Sequence, residues 1–262
     1  MNPIQNITTA AIDNLVTHVS WIQERTPGMR VSAAPDLTLS DCGLPCDTFN
    51  IVCRAQLDNA APRIREAIDY FEQRPFAWWL NPGDQPDDLG AMLQDAGLQA
   101  AESELAMAAD LASLRMRDLA PAGLQIRRVQ NAAQLRDFAA IVAANWSPPD
   151  EQVIRFYEMA APSVLHPDSP LWLYVGYMDE IPVTTSELTV GGGVVGLYNI
   201  CTLMDYRRKG FGTAMTLQPL LDARSQGYQH AILQASDGGK GIYAQLGFET
   251  FGQITEYKPN VL

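Results

Sequence analysis

The spacing of apolar residues in the first 115 positions predicts an alternation of helices and strands. An amphipathic helix is predicted between Thr8 and Pro27, because apolar residues recur there at helical spacing. Two strand-like runs follow, LTLSDCG and TFNIVCRAQL, and then the helical pattern APRIREAIDYFEQR. The apolar run FAWWL, a turn-rich segment, a helix ending at Gly97 and the strand SELAMAADL complete this half.

The alternation begins again after Gly123. The segment Arg115–Gly123 contains charge, proline and glycine without apolar periodicity, which predicts a boundary between domains at residues 1–118 and 124–262. The strand LQIRRV and two helices precede three strand-like runs, LWLYVGYM, IPVTTSELTV and VVGLYNICTL, which the short turns DEIP and GGG join. We therefore expect an antiparallel meander, followed by helix, strand, short helix and strand, in an α+β fold.

Composition and charge restrict the function. The 262 residues have a formal net charge of −12, which disfavours nucleic acid as a partner, because binding to nucleic acid needs cationic side chains. No apolar run reaches the length of a membrane-spanning helix, and the N-terminus lacks a basic leader, so we expect a cytoplasmic protein without a membrane partner. Four cysteines and three histidines without metal-ligand spacing predict no metal site.

The segment DYRRKGFGTAM, Asp205–Met215, joins a predicted strand to a predicted helix. Unpaired backbone N–H groups and the helix dipole attract an anion at such a junction, and Gly210 and Gly212 allow a close approach. A Walker-type loop needs a lysine followed by Ser or Thr after its second glycine, and GFGTAM has neither in place, whereas a dinucleotide fingerprint would require a small residue at Met215. RRKGFG instead satisfies Arg/Gln-x-x-Gly-x-Gly/Ala, so we expect a phosphate-binding loop.

A second motif, IYAQLGFE, places a tyrosine shortly before Leu-Gly-Phe. With both motifs and this order of elements, residues 124–257 resemble the GNAT superfamily of acyl-CoA N-acyltransferases. The resemblance implies a mixed, mostly antiparallel sheet flanked by helices in an αβα arrangement. It also implies acetyl-CoA as co-substrate. Main-chain and loop contacts to the coenzyme are implied for Ile200, Cys201, Thr202, Leu203, Arg207, Arg208, Lys209, Gly210, Phe211, Gly212 and Thr213.

Catalysis in this superfamily is direct attack of a neutral amine on the thioester, with an acid and a base. The resemblance implies that Tyr243 is the acid that protonates the leaving thiolate. For the base, Glu187 on the middle strand of the meander and Asn199, which would order a water molecule, are the two candidates. Ser236 stands where many relatives have an asparagine that contacts the pantetheine, and we expect its hydroxyl to make that contact.

The first half parallels the second in its order of helix, strand, loop, helix and glycine, but its segment CRAQLDNAAPRI has no glycine pair. It therefore resembles a degenerate GNAT domain that has lost coenzyme binding and covers the acceptor side. We interpret Trp78 and Trp79 as core residues and DCGLPCDTFN as a loop, and we consider Trp146 a candidate for acceptor recognition.

The predicted function is acyl-CoA-dependent N-acyltransfer, in which acetyl moves from acetyl-CoA to a primary amine on a small molecule or peptide. The alternative is a non-catalytic coenzyme A-binding sensor or assembly module. A homodimer is one option for the oligomeric state.

Overall fold

The computed structural model describes residues 3–115, the first half, and residues 121–259, the second half. The predicted domain boundary at residue 118 lies outside the described residues. The first half contains α1 (Pro3–Ser20), β1 (Arg30–Ala33), β2 (Thr38–Asp41), β3 (Ile51–Cys53), α2 (Ala60–Tyr70), β4 (Ala77–Leu80), α3 (Leu89–Asp95) and β5 (Leu98–Asp110). The second half contains β6 (Gln125–Arg128), α4 (Ala132–Ala143), α5 (Glu151–Val164), β7 (Leu171–Met178), β8 (Ile181–Gly191), β9 (Val194–Thr202), α6 (Phe211–Ser225), β10 (His230–Ala235), α7 (Lys240–Leu246) and β11 (Glu249–Pro259).

Within the described residues, the strands of both halves form one sheet, in the order β1-β2-β3-β4-β11-β5-β10-β9-β8-β7-β6. The sheet is mixed and mostly antiparallel, and helices pack against it, so the predicted α+β fold is confirmed. The expected meander is present as β7, β8 and β9. Strand β1 was not predicted, because it is a short edge strand without alternating apolar residues.

The two halves exchange their last strands. Strand β11 lies between β4 and β5 of the first half, and β5 lies between β10 and β11 of the second half. The two exchanged strands pair antiparallel from Leu98 with Pro259 to Ala108 with Glu249. Because each half completes the sheet of the other, the halves share a continuous ladder of backbone hydrogen bonds and are expected to unfold together.

The same unit of secondary structure occurs once in each half. In the first half β2 pairs antiparallel with β3, and α2 then crosses over to the parallel strand β4. In the second half β8 pairs antiparallel with β9, and α6 crosses over to the parallel strand β10. A short helix, α3 or α7, leads to the last strand in each case. The fold thus contains the repeat that the sequence predicted.

Helix α1 belongs to the first half but packs on strands β8 and β9 of the second. The fully buried Asn14 anchors it, since its amide nitrogen donates to the carbonyls of Thr189 (2.9 Å) and Gly191 (3.1 Å). The Tyr198 hydroxyl donates in turn to Asn14 Oδ1 (2.9 Å). These buried contacts fix the helix against the second half. No helix within the described residues is both long and apolar enough to span a bilayer.

Candidate active site

The central strands β9 and β10 separate partway along their length. Their parallel pairing ends at Leu197 and Leu233, although β9 continues to Thr202. A bulge accounts for the divergence, because Asn199 and Ile200 have no partner on β8 and Asn199 adopts φ +49°. Asparagine tolerates this left-handed conformation better than most residues. The sheet therefore opens between β9 and β10 beyond this point.

A cavity of about 360 Å³ occupies the gap between the two strands. The second half contributes Asn199, Ile200, Cys201, Ser236 and Tyr243 to its walls. The first half contributes residues from α1, β4, β5 and the loop before β3, which include His18, Phe49, Trp79, Glu102 and Glu104. The cavity is therefore built by both halves.

The predicted phosphate-binding loop lies beyond the end of β9, after a 3₁₀ turn at Met204–Tyr206. Gly210 precedes α6 with φ +87°, a conformation that favours glycine. The first intrahelical bond runs from the Ala214 N–H to the Gly210 carbonyl (3.1 Å), so the preceding amides have no partner within the helix. A Cβ added at Gly212 would meet no atom within 4 Å, so open space faces this first turn. These features fit a pyrophosphate group.

Three exposed cationic side chains surround the loop. Arg207 Nε donates to the Thr202 carbonyl (2.8 Å) and Lys209 Nζ donates to the Asp205 carbonyl (2.8 Å), so both are held against the backbone. Arg208 has φ +60° and makes no hydrogen bond or ion pair with the residues that the structure describes. The loop therefore offers unpaired backbone N–H groups and a positive local field in an acidic protein.

Tyr243 lies on α7 and lines the cavity. Its ring packs edge-on against Phe248, and a Cβ at Gly239 would come within 2.9 Å of it, so the tight turn before α7 requires a small residue there. Burial raises the pKa of Tyr243 to about 12, and the charges of Glu104 and Cys201 contribute to the increase. The phenol is protonated at neutral pH, as an acid catalyst must be.

Glu187 is only 1% exposed and does not line this cavity. Its Oε1 is 2.7 Å from His18 Nδ1 and accepts from the Thr189 hydroxyl (3.0 Å), and its Oε2 accepts from Asn199 Nδ2 (3.0 Å). Burial alone would raise the pKa of Glu187, but the adjacent imidazole and these hydrogen bonds outweigh it and lower the pKa. The buried carboxylate is therefore ionised and lies behind His18.

Carboxylates dominate the side of the cavity opposite β9. Glu102 and Glu104 come from β5 and Glu256 from β11, so both exchanged strands contribute. Burial raises the pKa of Glu104, and the charges of the other two glutamates raise it further. Lys258 forms an ion pair with Glu256 (3.2 Å) and offsets part of this charge. The arrangement favours a cationic ligand.

The structure brings several predicted residues together and leaves others apart. Asn199, Ile200, Cys201, Ser236 and Tyr243 share the cavity. The remaining predicted coenzyme residues lie on the last residues of β9, the loop and the first turn of α6, and they are Thr202, Leu203, Arg207, Arg208, Lys209, Gly210, Phe211, Gly212 and Thr213. Trp146 is 45% exposed and does not line the cavity.

Trp79 and His18 are among the cavity residues of the first half that were not identified from the sequence. Trp79 was interpreted as core, but only Trp78 is fully buried, because consecutive strand residues face opposite sides of the sheet. His18 lies in the predicted amphipathic helix, and no role in the site was assigned to it from the sequence. Its signal is that it stands one turn after another polar residue, Asn14, beside the apolar stripe of α1.

No protein-family model matches the chain, and no curated protein does. Among solved structures, it is similar to a GCN5-related N-acetyltransferase from Kribbella flavida, with a TM-score of 0.72, 18% identity and 96% of each chain covered. A GNAT-family structure from Novosphingobium aromaticivorans matches with a TM-score of 0.58 and 13% identity over 95% of this chain and 97% of that one.

A tandem GNAT protein from the clavulanic acid biosynthesis pathway matches with a TM-score of 0.55 and 11% identity, over 97% of this chain and 92% of that one. At these identities the matches concern the fold, and each extends over nearly the whole chain, including the first half. The chain therefore has the fold of the GCN5-related N-acetyltransferases in its tandem form.

Proposed function

We propose that the chain is an acyltransferase that moves acetyl from acetyl-CoA to a primary amine. The observation that carries this proposal is the opening between β9 and β10, which places Tyr243 in a cavity beyond the loop Arg207–Gly212. A coenzyme whose pyrophosphate lies on that loop has a path along β9 to the cavity. The unpaired backbone edge at Ile200 is suited to main-chain hydrogen bonds with its amide-containing arm.

The residues of the chain supply binding, orientation and proton transfer. The amides of the first turn of α6 and the side chain of Arg208 bind the phosphates. Tyr243, with its raised pKa, donates its hydroxyl proton to the departing thiolate. Asn199 lines the cavity and donates to the buried Glu187, and this pair marks the side on which the attacking ammonium group loses its proton.

The acceptor in this proposal is an amine with more than one positive charge. The carboxylates of Glu102, Glu104 and Glu256 surround the acceptor side of the cavity, and a cation there is attracted by the summed field. Small polyamines and peptides with basic side chains carry such charge. The cavity volume of about 360 Å³ suits a small molecule or a single side chain.

Calorimetric titration with acetyl-CoA tests the coenzyme site. Gly210→Glu places a negative charge and a side chain at a left-handed position in the loop, and we expect it to weaken binding by at least about 100-fold. The matched control is Gly227→Glu, which introduces the same residue at φ +94° at the opposite end of α6. Binding that survives in Gly210→Glu, or is equally lost in the control, would contradict the assignment of the loop.

Turnover is measured as thiol release from acetyl-CoA with spermidine, lysine, glucosamine and hydroxylamine as probe amines. Thiol release that depends on an amine and gives an N-acetylated product would support the enzyme. Coenzyme binding without turnover for any probe would instead favour the non-catalytic sensor or assembly module.

A further inference from the structure

The pair formed by His18 and Glu187 has the geometry of a base and its positioning group. Nδ1 of His18 is 2.7 Å from Glu187 Oε1, and the His18 side chain is 16% exposed whereas that of Glu187 is 1% exposed. His18 lines the cavity that also contains Tyr243, and Glu187 does not. The imidazole thus stands between the buried carboxylate and the space for the acceptor.

The hydrogen bonds around Glu187 determine which nitrogen of the His18 imidazole can accept a proton. An ionised carboxylate accepts, so Nδ1 carries the proton that is shared with Glu187. When the ring is neutral, its lone pair is on Nε2, which has no hydrogen-bond partner in the described part of the chain. Both oxygens of Glu187 are occupied, since Thr189 and Asn199 donate to them. The carboxylate is therefore built to hold His18 in one tautomer.

Packing fixes the plane of the His18 ring. The ring stacks on Tyr198 with centroids 3.7 Å apart and an interplanar angle of 2°. One turn earlier on α1, Asn14 is bonded to the backbone of β8 and accepts from the same tyrosine. A helix of the first half is thereby anchored so that one of its side chains reaches the cavity of the second half.

We infer that His18 is the general base of the proposed acetyl transfer and that Glu187 is its positioning residue, an assignment that rests on the proposed function. Nε2 takes a proton from the acceptor ammonium, and the neutral amine then attacks the thioester carbonyl carbon. The new C–N bond forms as the C–S bond breaks. Tyr243 gives its proton to the thiolate, the nitrogen of the new amide loses its second proton, which returns to the Tyr243 oxygen through solvent, and the proton on His18 is released to solvent.

Other ionisable groups face the same space. Glu187 on β8, Tyr198 on β9 and Tyr157 on α5 surround His18 on the protein side. Glu102 and Glu104 on β5, Glu256 on β11 and Tyr243 on α7 face it across the cavity. A test of the base therefore needs variants that distinguish the effect of Glu187 on His18 from the effect of the carboxylates across the cavity.

Nuclear magnetic resonance of the imidazole N–H signals tests the pair without any substrate. The chain has three histidines, and loss of one signal in His18→Asn assigns the resonance. In Glu187→Gln we expect the downfield Nδ1–H signal of His18 to move upfield or to be lost by exchange, because a neutral amide is a weaker acceptor than a carboxylate. The matched control is Glu180→Gln, an exposed carboxylate paired with Arg127, which should leave the signal unchanged. An unchanged Nδ1–H signal of His18 in Glu187→Gln would overturn the pair.

Thiol release then tests the role of the base. His18→Asn keeps a donor near the position of Nδ1 but removes Nε2, and we expect kcat/KM for spermidine to fall by about 100-fold or more. Hydroxylamine is largely unprotonated at neutral pH and needs little help from a base. The fall in kcat/KM for hydroxylamine should therefore be much smaller. The exposed His166 provides the control His166→Gln, which should retain wild-type rates. Equal losses for both amines would assign His18 a structural role and overturn the inference.

The failure of this inference can be told apart from failure of the proposed function. If acetyl-CoA binds and amines turn over while His18→Asn is as active as wild type, only the assignment of the base is wrong. If no probe turns over in the wild-type protein although the coenzyme binds, the transferase and its base are both overturned. Glu187→Gln provides a second variant, in which kcat/KM should fall more for spermidine than for hydroxylamine, as in His18→Asn, and the Nδ1–H signal of His18 should change.

Discussion

In both halves a helix connects two parallel strands, β3 and β4 in the first half and β9 and β10 in the second. The two pairs differ in whether the chain stays paired beyond the ends of the strands. Beyond β3, the Ala55 carbonyl accepts from the Gln85 N–H (2.8 Å), and the Leu57 N–H donates to the Gln85 carbonyl (3.1 Å). The segments that follow β3 and β4 therefore stay hydrogen-bonded to each other. Beyond Leu197, β9 and β10 separate and leave a cavity. Backbone hydrogen bonds thus close the gap beyond the parallel strands in the first half, and the corresponding gap in the second half stays open.

The two halves also satisfy their free amides differently. In the first half the buried carboxylate of Asp84 accepts from the N–H groups of Ala55 (2.9 Å) and Asn81 (2.8 Å). Burial raises the pKa of Asp84 to about 6, although these hydrogen bonds oppose the increase. In the second half the amides before Ala214 have no partner within the helix. An internal anion thus occupies backbone donors in the first half, whereas the first amides of α6 in the second half have no such side-chain acceptor among the described residues.

The position of Tyr243 gives a third contrast. It lies four residues before Gly247, and the residue four before Gly97 is Leu93, which is fully buried. The first half therefore has core packing where the second has a candidate acid. It nevertheless provides His18, Trp79 and Glu104 to the shared cavity. Under the proposed function, the second half would hold the coenzyme and both halves would line the space for the acceptor.

The largest effect is expected when the contrast at Tyr243 is removed. Tyr243→Phe deletes the hydroxyl but keeps the ring packed against Phe248, so kcat should fall by about 100-fold or more. Coenzyme affinity measured by calorimetry should stay within about twofold, because the loop is untouched. Tyr228→Phe removes a hydroxyl outside the cavity and should have wild-type kcat. A Tyr243→Phe enzyme with wild-type kcat would remove this tyrosine from the mechanism.

A stability effect is expected at Asp84. Asp84→Ala leaves two buried backbone N–H groups without an acceptor, and the free energy of unfolding in urea should fall by about 2–4 kcal/mol. The exposed neighbour Asp87 provides the control Asp87→Ala, with a change expected below about 0.5 kcal/mol. Calorimetry should give one coenzyme per chain for both variants and for wild type. Two coenzymes per chain would show that the first half is not closed.

The sequence was sufficient to predict the parts of the fold that local patterns encode. The meander follows from alternating apolar residues with tight turns, and the loop follows from glycines at a strand-to-helix junction, as Gly210 with its positive φ shows. Glu187 was correctly placed on the middle strand. These features depend on neighbours within a few residues, so a single sequence contains them.

Features that depend on distant pairing were not predictable in the same way. The exchange of β5 and β11 leaves no local signal, because a strand has the same alternation whichever neighbours it pairs with. For the same reason the carboxylates of Glu102 and Glu256 could not be assigned to one site. The role of His18 depends on helix α1 crossing to the other half, a contact 169 residues away in sequence.

The exchanged strands are expected to determine acceptor affinity. Glu104→Gln removes one charge from the cavity, and KM for spermidine should rise by about fivefold, which corresponds to about 1 kcal/mol of lost attraction. KM for uncharged hydroxylamine should change little. Glu249→Gln, on the same strand as Glu256 but outside the cavity, is the matched control and should leave both constants unchanged. A similar rise of KM for both amines would mean that Glu104 acts through packing and not through charge.

The smallest effect is expected from alkaline pH. Because burial, with Glu104 and Cys201, raises the pKa of Tyr243 to about 12, its hydroxyl remains protonated throughout ordinary assay conditions. At saturating spermidine, kcat should therefore vary by less than about twofold between about pH 8 and pH 10. In Glu104→Gln one of the charges that raise this pKa is gone, so the alkaline decline should begin at lower pH than in wild type. A decline at the same pH in both proteins would show that Glu104 and Tyr243 are not coupled, and that the exchanged strand β5 affects the acceptor but not the acid.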